Sequence, residues 1–368
     1  MKDKIFVTQT SMPDYEVFIE RIKPLWDTKK ITNMGEYHEK LEVTLMEYMN
    51  VKNVSLMVNG HLALELLIQA MGFPEGSEVI TTPFTFVSTT HAIIRNRLEP
   101  IFCDIKLDDY TIDECKIEAL ITDKTVAILP VHVYGNLCNV EAIGNIAKKH
   151  NLKVIYDAAH AFGECYKDLS VGKFGDASMF SFHATKVFNT IEGGAVTTDS
   201  KEVYEKLYNL KNFGIRGEEC IVGVGSNAKM NEFSAIMGLC NLEKLEDNIL
   251  ARKKVAEHYL EHLTGVDKLV LPAFDNKDMK YNYAYFPVLF EEEGIRNKVY
   301  NILREQDIYA RKYFYPLTAD AECFGCKYAK IDLKNARKVS GNILVLPMYP
   351  ELNCKDIEKI CGVIKMLL

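Results

Sequence analysis

From residue 50 to about 200 the chain alternates short β-rich runs with helix-like segments, and this alternation leaves few folds open. Seven runs have strand character: Ser55-Leu56-Met57-Val58, Glu78-Val79-Ile80-Thr81, Ile101-Phe102-Cys103, Val126-Ala127-Ile128-Leu129, Val154-Ile155-Tyr156, Ala177-Ser178-Met179-Phe180 and Ala195-Val196-Thr197-Thr198. Most are continuously apolar, the pattern of strands covered on both faces. Between them, His61 to Met71 is rich in Leu and Ala, and Val140 to His150 ends in Lys148, Lys149 and His150, cations that suit a helix C-terminus. The expected core is α/β, a seven-stranded, mainly parallel sheet between helices.

Further on, Phe233, Ile236, Met237 and Cys240 share one helix face, and a charged continuation through Arg252, Lys253 and Lys254 predicts one long connecting helix. From about residue 270 the pattern changes to Tyr-rich strands, a helix from Arg296 to Gln306 and an amphipathic helix after Pro350. We therefore expect a large domain over 1–250, N-terminal segment included, and a smaller α+β domain over 251–368, a division compatible with a length of 368 residues.

Composition narrows the function. Apolar residues make up 48% and charged residues 26%, ordinary for a globular enzyme. A net charge of -7 gives no electrostatic footprint for nucleic acid. Met1-Lys2-Asp3-Lys4 precedes mixed sequence rather than an apolar run, and no long apolar stretch follows, so a cytoplasmic protein without membrane contact is expected. Ten cysteines are scattered without a framework and read as reduced thiols. Cys323-Phe-Gly-Cys326 lacks two further ligands at motif spacing, so no metal is expected.

Two blocks carry the chemistry. The run Val154-Ile155-Tyr156-Asp157-Ala158-Ala159-His160 is a strand that ends by presenting a carboxylate where open α/β sheets bind ligands. The run Phe180-Ser181-Phe182-His183-Ala184-Thr185-Lys186, followed by Glu192-Gly193-Gly194, sets a lysine between two core strands. A desolvated lysine has a lowered pKa and can attack a carbonyl to form an imine, as pyridoxal phosphate requires, while Asp157 would pair with the pyridinium nitrogen. Val58-Asn59-Gly60-His61 opens the first helix, where free amides can receive a phosphate, and Thr82-Pro83-Phe84-Thr85-Phe86-Val87-Ser88 offers an aromatic to stack on a ring. Taken singly, Asp157 reads as a helix cap, Lys186 as a surface charge and the aromatics as core. Their combination points to a site.

These blocks, with Ile31-Thr32-Asn33-Met34-Gly35, Asn212-Phe213-Gly214, Gly225-Ser226-Asn227-Ala228-Lys229-Met230-Asn231-Glu232, Tyr315-Pro316-Leu317 and Leu346-Pro347-Met348-Tyr349-Pro350, resemble the DegT/DnrJ/EryC1/StrS sugar aminotransferases over nearly the whole chain. That family is a branch of the fold-type I pyridoxal-phosphate enzymes. The resemblance implies Lys186 as Schiff-base lysine, Asp157 at the pyridinium nitrogen, His160 near the phenolic oxygen, and Phe86 stacked on the ring. It further implies Ser181 with the Gly60 and His61 amides on the phosphate, and Asn227 reaching the neighbouring subunit's site in a homodimer with shared sites. Two positions depart from the family pattern: His61 stands where Thr is common, and Lys229 where Arg is usual.

The implied reaction is ping-pong transamination, with glutamate as amino donor, pyridoxamine phosphate formed during turnover, and a nucleotide-linked keto sugar as acceptor. The segment Phe182 to Thr190 is most similar to the branch that aminates dTDP-4-keto-6-deoxyglucose, with 3-keto or UDP/GDP-linked sugars as the alternative. Asn33, His183, Arg216, Lys229, Tyr313 and Tyr315 are the candidate substrate contacts. Sugar 3-dehydratases of the family replace the lysine with histidine, whereas Lys186 is present here. A non-catalytic regulatory member is disfavoured by the retained Asp157, His160, Ser181 and Lys186, and a dehydrogenase by the missing Gly-rich fingerprint.

Overall fold

The computed structural model describes residues 4–368; Met1, Lys2 and Asp3, where the leader reading begins, lie outside the described residues. The seven expected runs form one sheet. Its strands are β1 (Asn53–Met57), β2 (Glu78–Thr81), β3 (Glu99–Phe102), β4 (Thr125–Leu129), β5 (Lys153–Asp157), β6 (Ala177–Ser181) and β7 (Gly194–Thr198), in the spatial order β1-β7-β6-β5-β4-β2-β3. The pairs from β6 to β3 are parallel, and β7 runs antiparallel to both β1 and β6. Every residue of β7 is buried, as is all but Ser181 of β6, which explains why these runs carry no polar alternation.

Helix α1 (Gly60–Met71) follows β1 directly. Asn59 caps it by accepting from the Leu62 amide, and Gly72, at φ 71°, ends it in the left-handed region that glycine adopts at least cost. Helix α2 (Val87–Arg95) follows β2, and α3 (Val140–His150) spans the expected residues, capped by Asn139.

The long connecting helix is two helices, a correction to the periodicity reading. Helix α4 (Glu232–Glu243) and helix α5 (Leu245–Leu263) meet at Lys244, whose φ of -105° and ψ of 3° break the spiral. No Pro or Gly marks the break. Nor is α4 one-sided: Ser234 through Asn241 are all buried, so it is enclosed by packing.

The C-terminal part builds a three-stranded antiparallel sheet from Leu269–Val270, Phe286–Phe290 and Ile343–Leu346, covered by α5, the Ile295–Glu305 helix and α6 (Cys354–Leu367). The tyrosines expected on strands, Tyr281, Tyr283 and Tyr285, instead lie in an irregular segment leading into Phe286–Phe290. The boundary expected at 250/251 falls inside α5, and the strand Ile5–Phe6 pairs in parallel with Ile308–Tyr309, so Ile5 joins the C-terminal core rather than the N-terminal one. Among the described residues no helix is long and apolar enough to cross a membrane.

Candidate active site

Sheet register brings the chemical blocks to one end of the molecule. Gly194 pairs with Ser181 on one side and Met57 on the other, so the end of β6, the start of β7 and the entrance to α1 converge. The approach is close enough to require glycine twice. A Cβ on Gly60 would lie 2.8 Å from the Ser181 Cβ, and one on Gly194 would lie 2.7 Å from the Asn59 carbonyl and the Gly60 Cα. Because Asn59 satisfies the Leu62 and Ala63 amides, those of Gly60 and His61 are the helix-start donors left for a ligand. The His61 side chain turns away, bonding Ser88 Oγ at 2.8 Å.

Lys186 lies in the loop from β6 to β7. Phe182 and Phe188 are buried there against Phe162, at ring separations of 5.2 and 4.6 Å, and they fix the loop from beneath. Lys186 is half-buried as a residue with its amine enclosed, and Nζ donates to the Tyr285 hydroxyl at 3.2 Å. Burial lowers its pKa to about 8, with Asp157 and Tyr313 pulling the other way. Nearly a tenth of the amine is therefore unprotonated at neutral pH, by about one pH unit of separation.

Asp157 ends β5 and is buried. Its Oδ2 accepts from Thr89 Oγ1 at 2.8 Å and its Oδ1 from the Ala159 amide at 3.1 Å. Thr89 Oγ1 also lies 2.9 Å from Thr85 Oγ1, extending the chain of hydroxyls from α2 to the residue before its N-cap, Phe86. Burial raises the pKa of Asp157, opposed by these two hydrogen bonds and by the more distant charge of Lys186. His160 is buried between Tyr134 and Tyr285, with ring separations of 6.5 and 4.6 Å. The Tyr134 amide donates to its Nδ1 at 3.0 Å, so in the neutral ring that burial enforces, the proton sits on Nε2. Asn282 Nδ2 donates to the His160 carbonyl at 2.7 Å and holds that backbone in place.

Phe86, 58% exposed, stands at the N-terminus of α2 and lines a cleft of about 350 Å³ with Tyr313, Tyr315, Tyr300, Arg311 and Lys312. The structure thus gathers Gly60, Asp157, His160, Ser181 and Lys186, and sets Phe86, Tyr313 and Tyr315 in one adjoining cleft. His183 is exposed on the lysine loop, bonded to Thr185 Oγ1 at 2.8 Å. Of the other expected residues, Asn33 stands exposed, and Arg216, Lys229 and Asn227 are engaged elsewhere within the chain. Asn33 is exposed at φ 64°, Arg216 sits on an exposed hairpin against Tyr208 and Asn209, and Lys229 Nζ donates to Asn227 Oδ1 at 2.8 Å. The backbone beside that pair does pass the site, since the Ala228 carbonyl accepts from the Val58 amide at 2.8 Å. Sequence reasoning missed Thr89, Tyr134, Asn282 and Tyr285. Thr89 alone had a local signal, a hydroxyl three residues after Phe86 and directly beyond its motif.

These residues suit pyridoxal phosphate. A buried carboxylate without a cation in hydrogen-bond contact fits a protonated ring nitrogen, a buried amine fits the aldehyde, and a helix start kept open by two glycines beside a serine fits the phosphate. The fold and site are those of a pyridoxal-phosphate-dependent aminotransferase. The chain belongs to the DegT/DnrJ/EryC1/StrS aminotransferase family, whose sequence model matches residues 14–365.

Among its relatives is a dTDP-4-amino-4,6-dideoxy-D-glucose transaminase of Shigella dysenteriae, 44% identical over 99% of each chain. Another, of the same description from Escherichia coli, is 40% identical over 98% of each. The solved structure of DesI in the presence of its TDP-sugar product superimposes with a TM-score of 0.92 at 28% identity, covering 100% of this chain and 93% of that one.

Proposed function

We propose that this enzyme transfers the amino group of glutamate to C4 of dTDP-4-keto-6-deoxy-D-glucose, giving dTDP-4-amino-4,6-dideoxy-D-glucose. The observation that carries the chemistry is the buried Lys186 amine beside Asp157, and the full-length likeness to the Shigella transaminase carries the substrate. When bound, pyridoxal phosphate supplies an electrophilic carbon and an electron-withdrawing ring. Lys186 Nζ is the attachment point. Once released, it accepts the proton from the donor's α-carbon and returns a proton to the sugar's C4, a role suited to an amine that titrates near neutrality.

Asp157 holds its negative charge toward the ring nitrogen. His160 Nε2–H donates toward the phenolic oxygen, while Ser181 Oγ and the Gly60 and His61 amides bind the phosphate. Phe86 covers one ring face. The active unit is a homodimer in which Asn227 reaches the partner's site, and Asn33, His183, Arg216, Lys229, Tyr313 and Tyr315 contact the nucleotide sugar.

The test is the visible spectrum of the cofactor-loaded protein. Glutamate should bleach the band of lysine-bound cofactor, and dTDP-4-keto-6-deoxyglucose should restore it. Bleaching without restoration by this sugar refutes the substrate assignment. Lys186→Ala should abolish turnover with an unchanged circular dichroism spectrum, and retained turnover would remove Lys186 from the mechanism.

A further inference from the structure

The C-terminal helices carry a second cluster of chemical groups, away from the residues of the active site. His258 and His262 lie one turn apart on α5, so both imidazoles project from the same face, their rings 4.7 Å apart and nearly perpendicular. Glu358 of α6 faces them, its Oε1 3.9 Å from His258 Nε2. One ligand atom from each of the three residues lies within 4.8 Å of the other two. Tetrahedral coordination at ordinary zinc distances needs ligand atoms about 3.3 Å apart, which small side-chain rotations from this arrangement supply.

Two further observations point at an ion rather than at a surface ion pair. His258 Nε2 is buried and has no hydrogen-bond partner, although it is aimed at Glu358 and His262. On the other side of the same ring, Nδ1 lies 3.4 Å from Glu261 Oε2. At 3.4 Å this is an ion-pair distance rather than a hydrogen bond; drawn into contact, that carboxylate would keep the proton on Nδ1 and leave Nε2 as a lone pair, the arrangement by which proteins orient a metal-binding histidine.

We propose that His258, His262 and Glu358 form a binding site for a divalent transition-metal ion of the Zn2+ class, with water completing the coordination and Glu261 orienting His258. Two imidazoles and one carboxylate suit zinc or its first-row neighbours and disfavour Mg2+ and Ca2+, which take oxygen ligands. The ion would join α5 to α6. Because α5 also donates from Arg252 to the Met348 carbonyl and from Tyr259 to the Pro347 carbonyl, the joint would stiffen the C-terminal unit without entering the transamination chemistry.

The experiment is equilibrium dialysis of the pyridoxal-phosphate-loaded protein against micromolar Zn2+, with bound metal counted per chain and thermal unfolding followed in parallel. Wild-type protein should bind one ion through this site and unfold at a higher temperature with Zn2+ than without. His262→Gln should lose both effects, and Glu261→Gln should weaken binding by about tenfold, as loss of an orienting partner does. Unchanged cofactor absorbance in each variant shows that the fold is intact, and Glu358→Gln, at an exposed position, provides a second ligand variant. The proposal is overturned if wild-type protein binds no Zn2+. It is equally overturned if His262→Gln binds as much as wild type, or if binding is lost only when the exposed thiols Cys323 and Cys326 are replaced by Ser.

Discussion

Thr89→Val removes one hydroxyl from beneath the proposed cofactor site and leaves the packing volume almost unchanged. Thr89 is fully buried, and its Oγ1 is one of two donors to the Asp157 carboxylate, at 2.8 Å. A hydrogen bond to a buried charged group contributes about 1.5–3 kcal/mol. Loss of this bond therefore disfavours the ionised form of Asp157 by about 2 kcal/mol, and that cost is added to cofactor binding, because a protonated Asp157 offers the ring nitrogen no negative charge. An energy of that size corresponds to a roughly 30-fold increase in the Kd for pyridoxal phosphate, with kcat/KM falling in the same direction. The assay is titration of cofactor-free protein with pyridoxal phosphate at neutral pH, following the visible band, alongside steady-state kinetics with glutamate. Thr89→Ser, which keeps the hydroxyl, should recover most of the loss. A Thr89→Val protein whose Kd and kcat/KM stay within about twofold of wild type would refute the claim that this hydroxyl sustains the charge on Asp157.

Three other outcomes are expected. The rate at which cofactor-free protein captures pyridoxal phosphate should rise about tenfold between pH 7 and pH 9, because the pKa of Lys186 is about 8 and only the free amine attacks; stopped-flow absorbance measures it. Gly194→Ala forces a methyl group to within 2.7 Å of the Asn59 backbone, which has no flexible end to move aside, and should lower stability by about 1–3 kcal/mol in denaturant unfolding while weakening cofactor retention. Finally, Asp157 binds its proton more tightly in the cofactor-free folded state than in the unfolded chain, because burial raises its pKa. Its contribution to stability is therefore greatest at low pH and falls as pH rises from the ordinary carboxylate value through the folded one. Cofactor-free protein should lose stability over that window relative to Asp157→Asn, and equal pH profiles of the two in thermal unfolding would contradict the assignment.

Much of this was legible in the sequence because the signals are local. The run ending at Asp157 is continuously apolar because β5 is covered on both faces, and the same holds for the run that leads to Ser181 and Lys186. Helix α1 announces itself through Asn59 and Gly72, residues whose side-chain oxygen and positive φ set the two ends. Where local signals were weak, the expectation failed. The break at Lys244 carries no Gly or Pro, so an unbroken helical period ran across it. Tyr281, Tyr283 and Tyr285 have strand-like spacing, yet Tyr283 adopts a φ of 51° and the segment stays irregular. The Ile5–Phe6 strand gives no hint within its own sequence that its partner lies at Ile308–Tyr309.

The sequence by itself determined the sheet and the placing of Asp157 at the end of one strand and Lys186 in the loop after another, because a strand covered on both faces and the polar residues that follow it are written in consecutive residues. Only the tertiary structure decided what surrounds them. Thr89 reaches Asp157 across 68 positions of chain, Tyr285 reaches Lys186 across 99 and Asn282 reaches the His160 carbonyl across 122. The same is true of Glu358 opposite His258 on the far helices. Such partners are selected by which strand ends and helix faces the packed core brings together, and a hydrogen bond formed that way leaves no periodic trace in the residues on either side of it.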